Sequence, residues 1–135
     1  MADFSAVRLD IQVQKDIIVC RHKAREIAVA SGFGLADQTR LATAVSELAR
    51  NALEHGGGGF CGISPCEKNG CDGICVVIED SGPGIGDVEQ ALQDGYTSNG
   101  GMGLGLPAAK RLVHGMDIDS RPGKTIIHIE VYLNA

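Results

Sequence analysis

Residues 74–80, ICVVIED, constrain the fold more than any other stretch. Four β-branched residues and a cysteine follow one another with neither the two-residue alternation of a half-solvated strand nor the recurrence of an amphipathic helix. A short run of this kind, stopped by the Gly-Pro-Gly of SGPGIGD, is the pattern of a strand in the interior of a sheet. The rest of the chain supplies that strand with neighbours. Val7, Leu9, Ile11 and Val13 alternate with Arg8, Asp10 and Gln12 as a half-buried strand, a short strand is expected at 60–64, and residues 126–133 alternate again near the end. The segment PCEKNGCDG, 65–73, reads as a loop.

The period changes to that of helices in between. Ile17, Cys20, Ala24, Ile27 and Ala28 define one face of a helix from Asp16 that Gly32 and Gly34 end. Asp37 is the expected N-cap of a second helix, with Leu41, Ala44, Val45, Leu48 and Ala52 on its apolar face and HGGGG stopping it. Short helices are expected at 87–93 and 104–114. This order predicts an α/β (α+β) two-layer sandwich in one domain, 1–135, its mixed β-sheet covered on one face by helices.

The chain has 135 residues and a formal net charge of −5, without a basic run. Phosphate backbones are bound chiefly through Lys/Arg clusters, so nucleic acid is not the expected partner. A single nucleotide needs only a local pocket of donors. Residues 1–6 lack the basic and apolar regions of a signal peptide, and no apolar run is long enough for a membrane helix. A cytoplasmic protein with reduced cysteines is expected.

Three polar features stand apart from this scaffold. Glu47 and Asn51 are four residues apart on a helix and share a face, which brings a carboxylate and an amide oxygen to one place. Alone, that spacing equally describes a solvated surface. Asp80 leaves the buried strand directly before Gly82 and Gly84, where a carboxylate can accept a hydrogen bond inside a pocket; alone, Asp-Ser-Gly-Pro is also an ordinary turn. Gly101, Gly103 and Gly105 recur every second residue before a helix, an arrangement that can offer backbone amides to an anion and that is otherwise a flexible loop.

In this order the three segments, SELARNALEH, EDSGPGIGD and GGMGLGLPAAKRL, resemble the N box and the two glycine boxes of the GHKL superfamily of ATP-binding domains, with its Bergerat fold. That superfamily is shared by histidine kinases, gyrase-type topoisomerases and heat-shock chaperones. TAVSELARNALEH and ALQDGYTSNGGMGLGLPAAKRL are especially similar to the serine/threonine switch kinases of bacterial partner-switching pathways, which are related to the anti-sigma kinases.

The resemblance implies ATP and Mg²⁺ as cofactors. Asn51 would ligate Mg²⁺, Glu47 would act as general base toward a Ser or Thr hydroxyl, and Asp80 would accept the adenine amino group between Gly82 and Gly84. Gly101, Met102, Gly103, Leu104 and Gly105 would close a lid over the triphosphate. Thr125 lies where the family often has an adenine-contacting threonine, although this chain reads PGKTII where Gly-x-Gly-Thr is usual. Implied partners are a STAS-domain scaffold or antagonist protein as substrate and a phosphatase activated by binding. The alternatives are an anti-sigma factor that sequesters a sigma subunit and a non-catalytic, ATP-dependent binding switch.

Cys61, Cys66, Cys71 and Cys75 cluster in sequence without the paired knuckles of a zinc site, and reduced structural thiols are the expectation, with Cys20 in the core. His55, at the end of the N-box helix, is read as a partner of the helix dipole. His22, His114 and His128 are read as surface or strand positions.

Overall fold

The computed structural model describes residues 5–86, 92 and 105–133. Strand β1 (Val7–Ile11) leads into two helices, α1 (Gln14–Ala30) and α2 (Leu35–Glu54). A hairpin of β2 (Gly59–Lys68) and β3 (Cys71–Asp80) follows, then helix α3 (Leu106–Leu112) and a second hairpin, β4 (Gly115–Arg121) and β5 (Lys124–Tyr132). The expected helix at 87–93 falls almost wholly outside the described residues.

The strands lie in the order β1-β2-β3-β5-β4, so the ICVVIED run is the central strand, as its apolar continuity predicts. Every pairing among the described residues is antiparallel, which corrects the expectation of a mixed sheet. Strand direction follows from the connections: both long hairpins join neighbours through tight turns. Ile11, Cys61, Ile63, Ile74, Val76, Ile78, Ile127, Ile129 and Val131 are buried in one core with the helices.

Helix α1 buries the five residues its periodicity selects. At its start the Asp16 carboxylate accepts the N–H groups of Gln12 at 2.9 Å and Val13 at 3.1 Å. These bonds hold the Asp16 pKa below the usual carboxylate value. Val13 therefore stands at the helix entrance and is half exposed, not in the strand. At the other end, Phe33 N–H reaches Ala28 O at 3.0 Å and Gly32 N–H reaches Val29 O at 3.1 Å, the paired bonds of a Schellman cap, and Phe33 is buried behind it.

Helix α2 begins one turn earlier than Asp37 suggests. Gly34 is the N-cap, and Asp37 sits in the first turn, bonded to Arg40 at 3.1 Å. A carboxylate there still complements the positive end of the helix, which is why the sequence signal looks alike. Leu41, Ala44, Val45, Leu48 and Ala52 are buried as predicted. Ala42, Ser46 and Ala49 are buried too, because α2 contacts α1, α3 and the sheet.

The expected loop at 65–73 is instead the tip of the β2–β3 hairpin. Its two-residue turn is Asn69 (φ 53°) and Gly70 (φ 80°), the paired positive φ values that an Asn-Gly hairpin turn requires. The expected strand at 60–64 is thereby extended to Lys68. Strand β4 was not expected; it is an edge strand whose Asp117, Asp119 and Arg121 are exposed. The last helix is confined to Leu106–Leu112.

Candidate functional site

Glu47 and Asn51 lie one turn apart in the C-terminal half of α2, both half-buried. Glu47 Oε1 accepts a long hydrogen bond from Arg50 Nη1 at 3.4 Å. Its other oxygen faces Gly105, the residue before α3: a Cβ on Gly105 would strike Glu47 Oε2. Gly105 also has φ +71°, a conformation that L side chains rarely adopt. Backbone shape and side-chain room thus both demand glycine where the second glycine box meets the N box.

Asp80 ends β3 on the helix-covered face and is only 9% exposed. Its Oδ1 accepts the Gly82 N–H at 2.9 Å. Burial pushes the Asp80 pKa up, opposed by the Gly82 N–H and more weakly by the nearby His55.

The first glycine box folds back against the end of α2. A Cβ on Gly82 would lie 2.5 Å from Gly56 Cα and 3.1 Å from His55 O, and one on Gly56 would strike the Asp80 carboxylate. His55 is the C-cap of α2, its N–H bonded to Asn51 O at 2.9 Å. On the far side, a Cβ on Gly84 would lie 2.5 Å from Arg121 O, and the next residue, Ile85, donates its N–H to Ser120 Oγ at 2.6 Å.

Thr125 belongs to the same locus. It pairs directly with Asp80 across β3 and β5, is 4% exposed, and bonds Ser120 Oγ through Oγ1 at 3.0 Å. Cross-strand partners present their side chains to the same face. The missing glycine of PGKTII has a simple consequence: Lys124 takes the exposed position, 3.9 Å from Glu79, and Thr125 keeps the buried one. Ser120 and Ile85 were not singled out in the sequence; an edge strand and a glycine loop carry no local signal that they will meet.

Glu47, Asn51, Asp80, Gly82, Gly84, Gly105 and Thr125 are therefore linked through contacts around the C-terminal end of α2 and the adjoining ends of β3 and β5. Gly101, Met102, Gly103 and Leu104 lie outside the described residues.

The four clustered cysteines do not share a face. Cys61 is buried beneath the helices, and the neighbouring Cys20 thiol together with burial drives its pKa upward. Cys66 and Cys75 lie on the opposite side of the sheet.

The family described as Histidine kinase-, DNA gyrase B-, and HSP90-like ATPase matches residues 36–134. The Serine/threonine-protein kinase RsbT of Bacillus subtilis is 41% identical over 124 residues, 92% of this chain and 92% of that protein. The Anti-sigma F factor of a Thermoanaerobacter species is 31% identical over 99 residues, 69% of this chain and 68% of its own. Among solved structures, the RsbU and RsbW domains of Rv1364c from Mycobacterium tuberculosis superpose with a TM-score of 0.67 at 20% identity, covering 95% of this chain and 32% of that one. The SiaB-SiaC complex from Pseudomonas aeruginosa gives a TM-score of 0.55 at 12% identity, over 94% of this chain and 89% of that one, a likeness of fold. The chain belongs to the Histidine kinase-, DNA gyrase B-, and HSP90-like ATPase family, within which it is a homologue of the serine/threonine kinase RsbT.

Proposed function

We propose a division of labour among the residues with which this partner-switching serine/threonine kinase uses ATP. The observation that carries it is the convergence on one helix end: Gly105 against Glu47, and Gly82 against Gly56 and His55. Adenine presents an amino donor, and Asp80 offers a carboxylate whose Oδ1 is already fixed by the Gly82 N–H, leaving Oδ2 as the acceptor. Thr125 stands beside it, and Gly82 and Gly84 let the loop pack against Gly56 and Arg121 at the edge of the base site.

Asn51 contributes an amide oxygen of the hard type that Mg²⁺ prefers, and Mg²⁺ commonly takes one or two protein ligands beside substrate phosphates. When bound, the ion cancels charge on the phosphate oxygens. Gly101, Met102, Gly103, Leu104 and Gly105 provide the lid, whose backbone amides suit an anionic triphosphate.

Phosphoryl transfer asks the protein mainly for alignment and charge stabilisation. Glu47, one turn from Asn51, takes the proton as a Ser or Thr hydroxyl of the partner forms its bond to the γ-phosphorus and ADP leaves with the bridging electron pair. Gly105 limits where that carboxylate can stand. The acceptor is a STAS-type scaffold or antagonist protein, and phosphorylation frees the kinase to bind a phosphatase.

Incubation with γ-labelled ATP, Mg²⁺ and such an acceptor tests the reading: label should pass to a Ser or Thr of the acceptor with wild type and not with Glu47→Gln. Transfer at the wild-type rate by Glu47→Gln would remove the general base. The 31% identity to an anti-sigma F factor favours a second reading, sequestration of a sigma subunit. Co-purification of a sigma factor without acceptor phosphorylation would select it.

A further inference from the structure

The sheet face away from the helices holds a group of side chains that the nucleotide chemistry leaves unused. Cys75 on β3 pairs directly with Glu130 on β5, and the neighbouring pair is Val77 with His128, so His128 is diagonal to Cys75. Cys75 Sγ lies 3.0 Å from His128 Nε2. The ligating atoms of Cys75, His128 and Glu130 all fall within 4.8 Å of one another. On the other side, Cys66 of β2 pairs with Gly73 and is diagonal to Cys75, outside the 4.8 Å group. All four residues are half-buried on adjoining strands.

We propose that Cys66, Cys75, His128 and Glu130 form a zinc site that ties β2, β3 and β5 together on the open face of the sheet. Ligand atoms bound at about 2.0–2.3 Å in a tetrahedron stand about 3–4 Å apart, so Cys75, His128 and Glu130 need only small side-chain rotations, and Cys66 closes the shell by turning toward them from its diagonal position. Two thiolates, an imidazole and a carboxylate suit Zn²⁺ and disfavour Mg²⁺ or Ca²⁺, which select all-oxygen sites. Binding releases two protons to solvent, one from each thiol, and forms two Zn–S bonds.

The surrounding shell is consistent with a metal carboxylate. Tyr132 donates its hydroxyl to Glu130 Oε2 at 2.8 Å, fixing the carboxylate while Oε1 remains on the side of Gly115. Hydrogen bonds of this kind orient ligands in metal centres. The set differs from the four cysteines that sequence spacing groups together: Cys61 faces the helices, and Cys71, which pairs with Lys68 near the hairpin tip, lies beyond the group. The site is separate from the nucleotide residues, and its test needs no nucleotide.

The full chain, reduced and stripped with chelator, is titrated with Zn²⁺ against a chromophoric competitor and separately with Co²⁺. The expected result is one equivalent per chain, with Co²⁺ giving the sulfur charge-transfer absorption and intense visible bands of a tetrahedral thiolate site. Cys75→Ser and His128→Ala should each weaken Zn²⁺ about a hundredfold or more, Tyr132→Phe about tenfold, and Cys71→Ser should leave affinity unchanged. Circular dichroism checks that each variant is folded, and His128→Gln replaces any that is not. Less than about a tenth of an equivalent bound by wild type, or unchanged affinity in both Cys75→Ser and a folded His128 variant, would overturn the site.

Discussion

Asp80 and Thr125 face each other across β3 and β5, both buried at the helix-covered end of the sheet. Thr125 is held by Ser120, which in turn accepts the Ile85 N–H, so the threonine and the first glycine box are fastened to one hydroxyl. Thr125→Val keeps the shape and removes the hydroxyl. One hydrogen bond of about 0.5–1.5 kcal/mol is lost. ATP affinity measured by calorimetry should fall about threefold to tenfold, with little change in the circular dichroism spectrum.

Glu47→Gln preserves volume and cannot take a proton. General-base catalysis contributes about 10²–10⁴ in rate. Phosphorylation of the acceptor should drop by that order while ATP binding stays within about twofold of wild type, measured by transfer of labelled phosphate and by calorimetry on the same preparation.

Gly105→Ala combines a φ of +71° with a methyl placed against Glu47 Oε2. The backbone term alone costs about 1–2 kcal/mol. Melting temperature should fall, and phosphotransfer should fall further than the stability loss explains, because the glutamate is displaced.

Asp16 and Asp80 predict opposite pH dependences. The Asp16 pKa is lowered by the Gln12 and Val13 N–H groups, so its contribution to stability is present above the unfolded value and is lost as pH falls through the folded one. Asp16→Ala should lower the melting temperature at pH 7, and the difference from wild type should shrink as pH falls below the ordinary Asp value of about 3.9. The Asp80 pKa is raised by burial, so its protonated form favours folding and that stability is lost as pH rises through the raised value. Asp80→Asn should therefore match or exceed the wild-type melting temperature at neutral pH without nucleotide.

The parts of the fold that were legible in the chain are those with a period. The buried faces of α1 and α2 and the centrality of 74–80 follow from which residues are apolar and how often. Strand direction was not legible, since no local pattern distinguishes a parallel neighbour from an antiparallel one. The hairpin tip was hidden because Cys66, Lys68, Cys71 and Asp72 look like loop residues, although Asn69-Gly70 carries the turn signal. Strand β4 was hidden by its charged outer face. In the proposed site, Glu47 and Asn51 are proposed from the N box and Asp80 from the first glycine box; the contact of Glu47 with Gly105 and the Ser120 bridge arise only from tertiary packing. His128 and Glu130 look like the solvent side of an alternating strand, and only the register beside Cys75 groups them.

The convergence of the boxes on one nucleotide site is tested most directly by titrating ATP with Mg²⁺ into Asp80→Asn in a calorimeter. The asparagine oxygen can still accept the Gly82 N–H, but its NH₂ group then opposes the adenine amino donor where a carboxylate oxygen stood. The account predicts a folded protein with no measurable ATP heat under conditions that saturate wild type. Wild-type affinity in folded Asp80→Asn would contradict it.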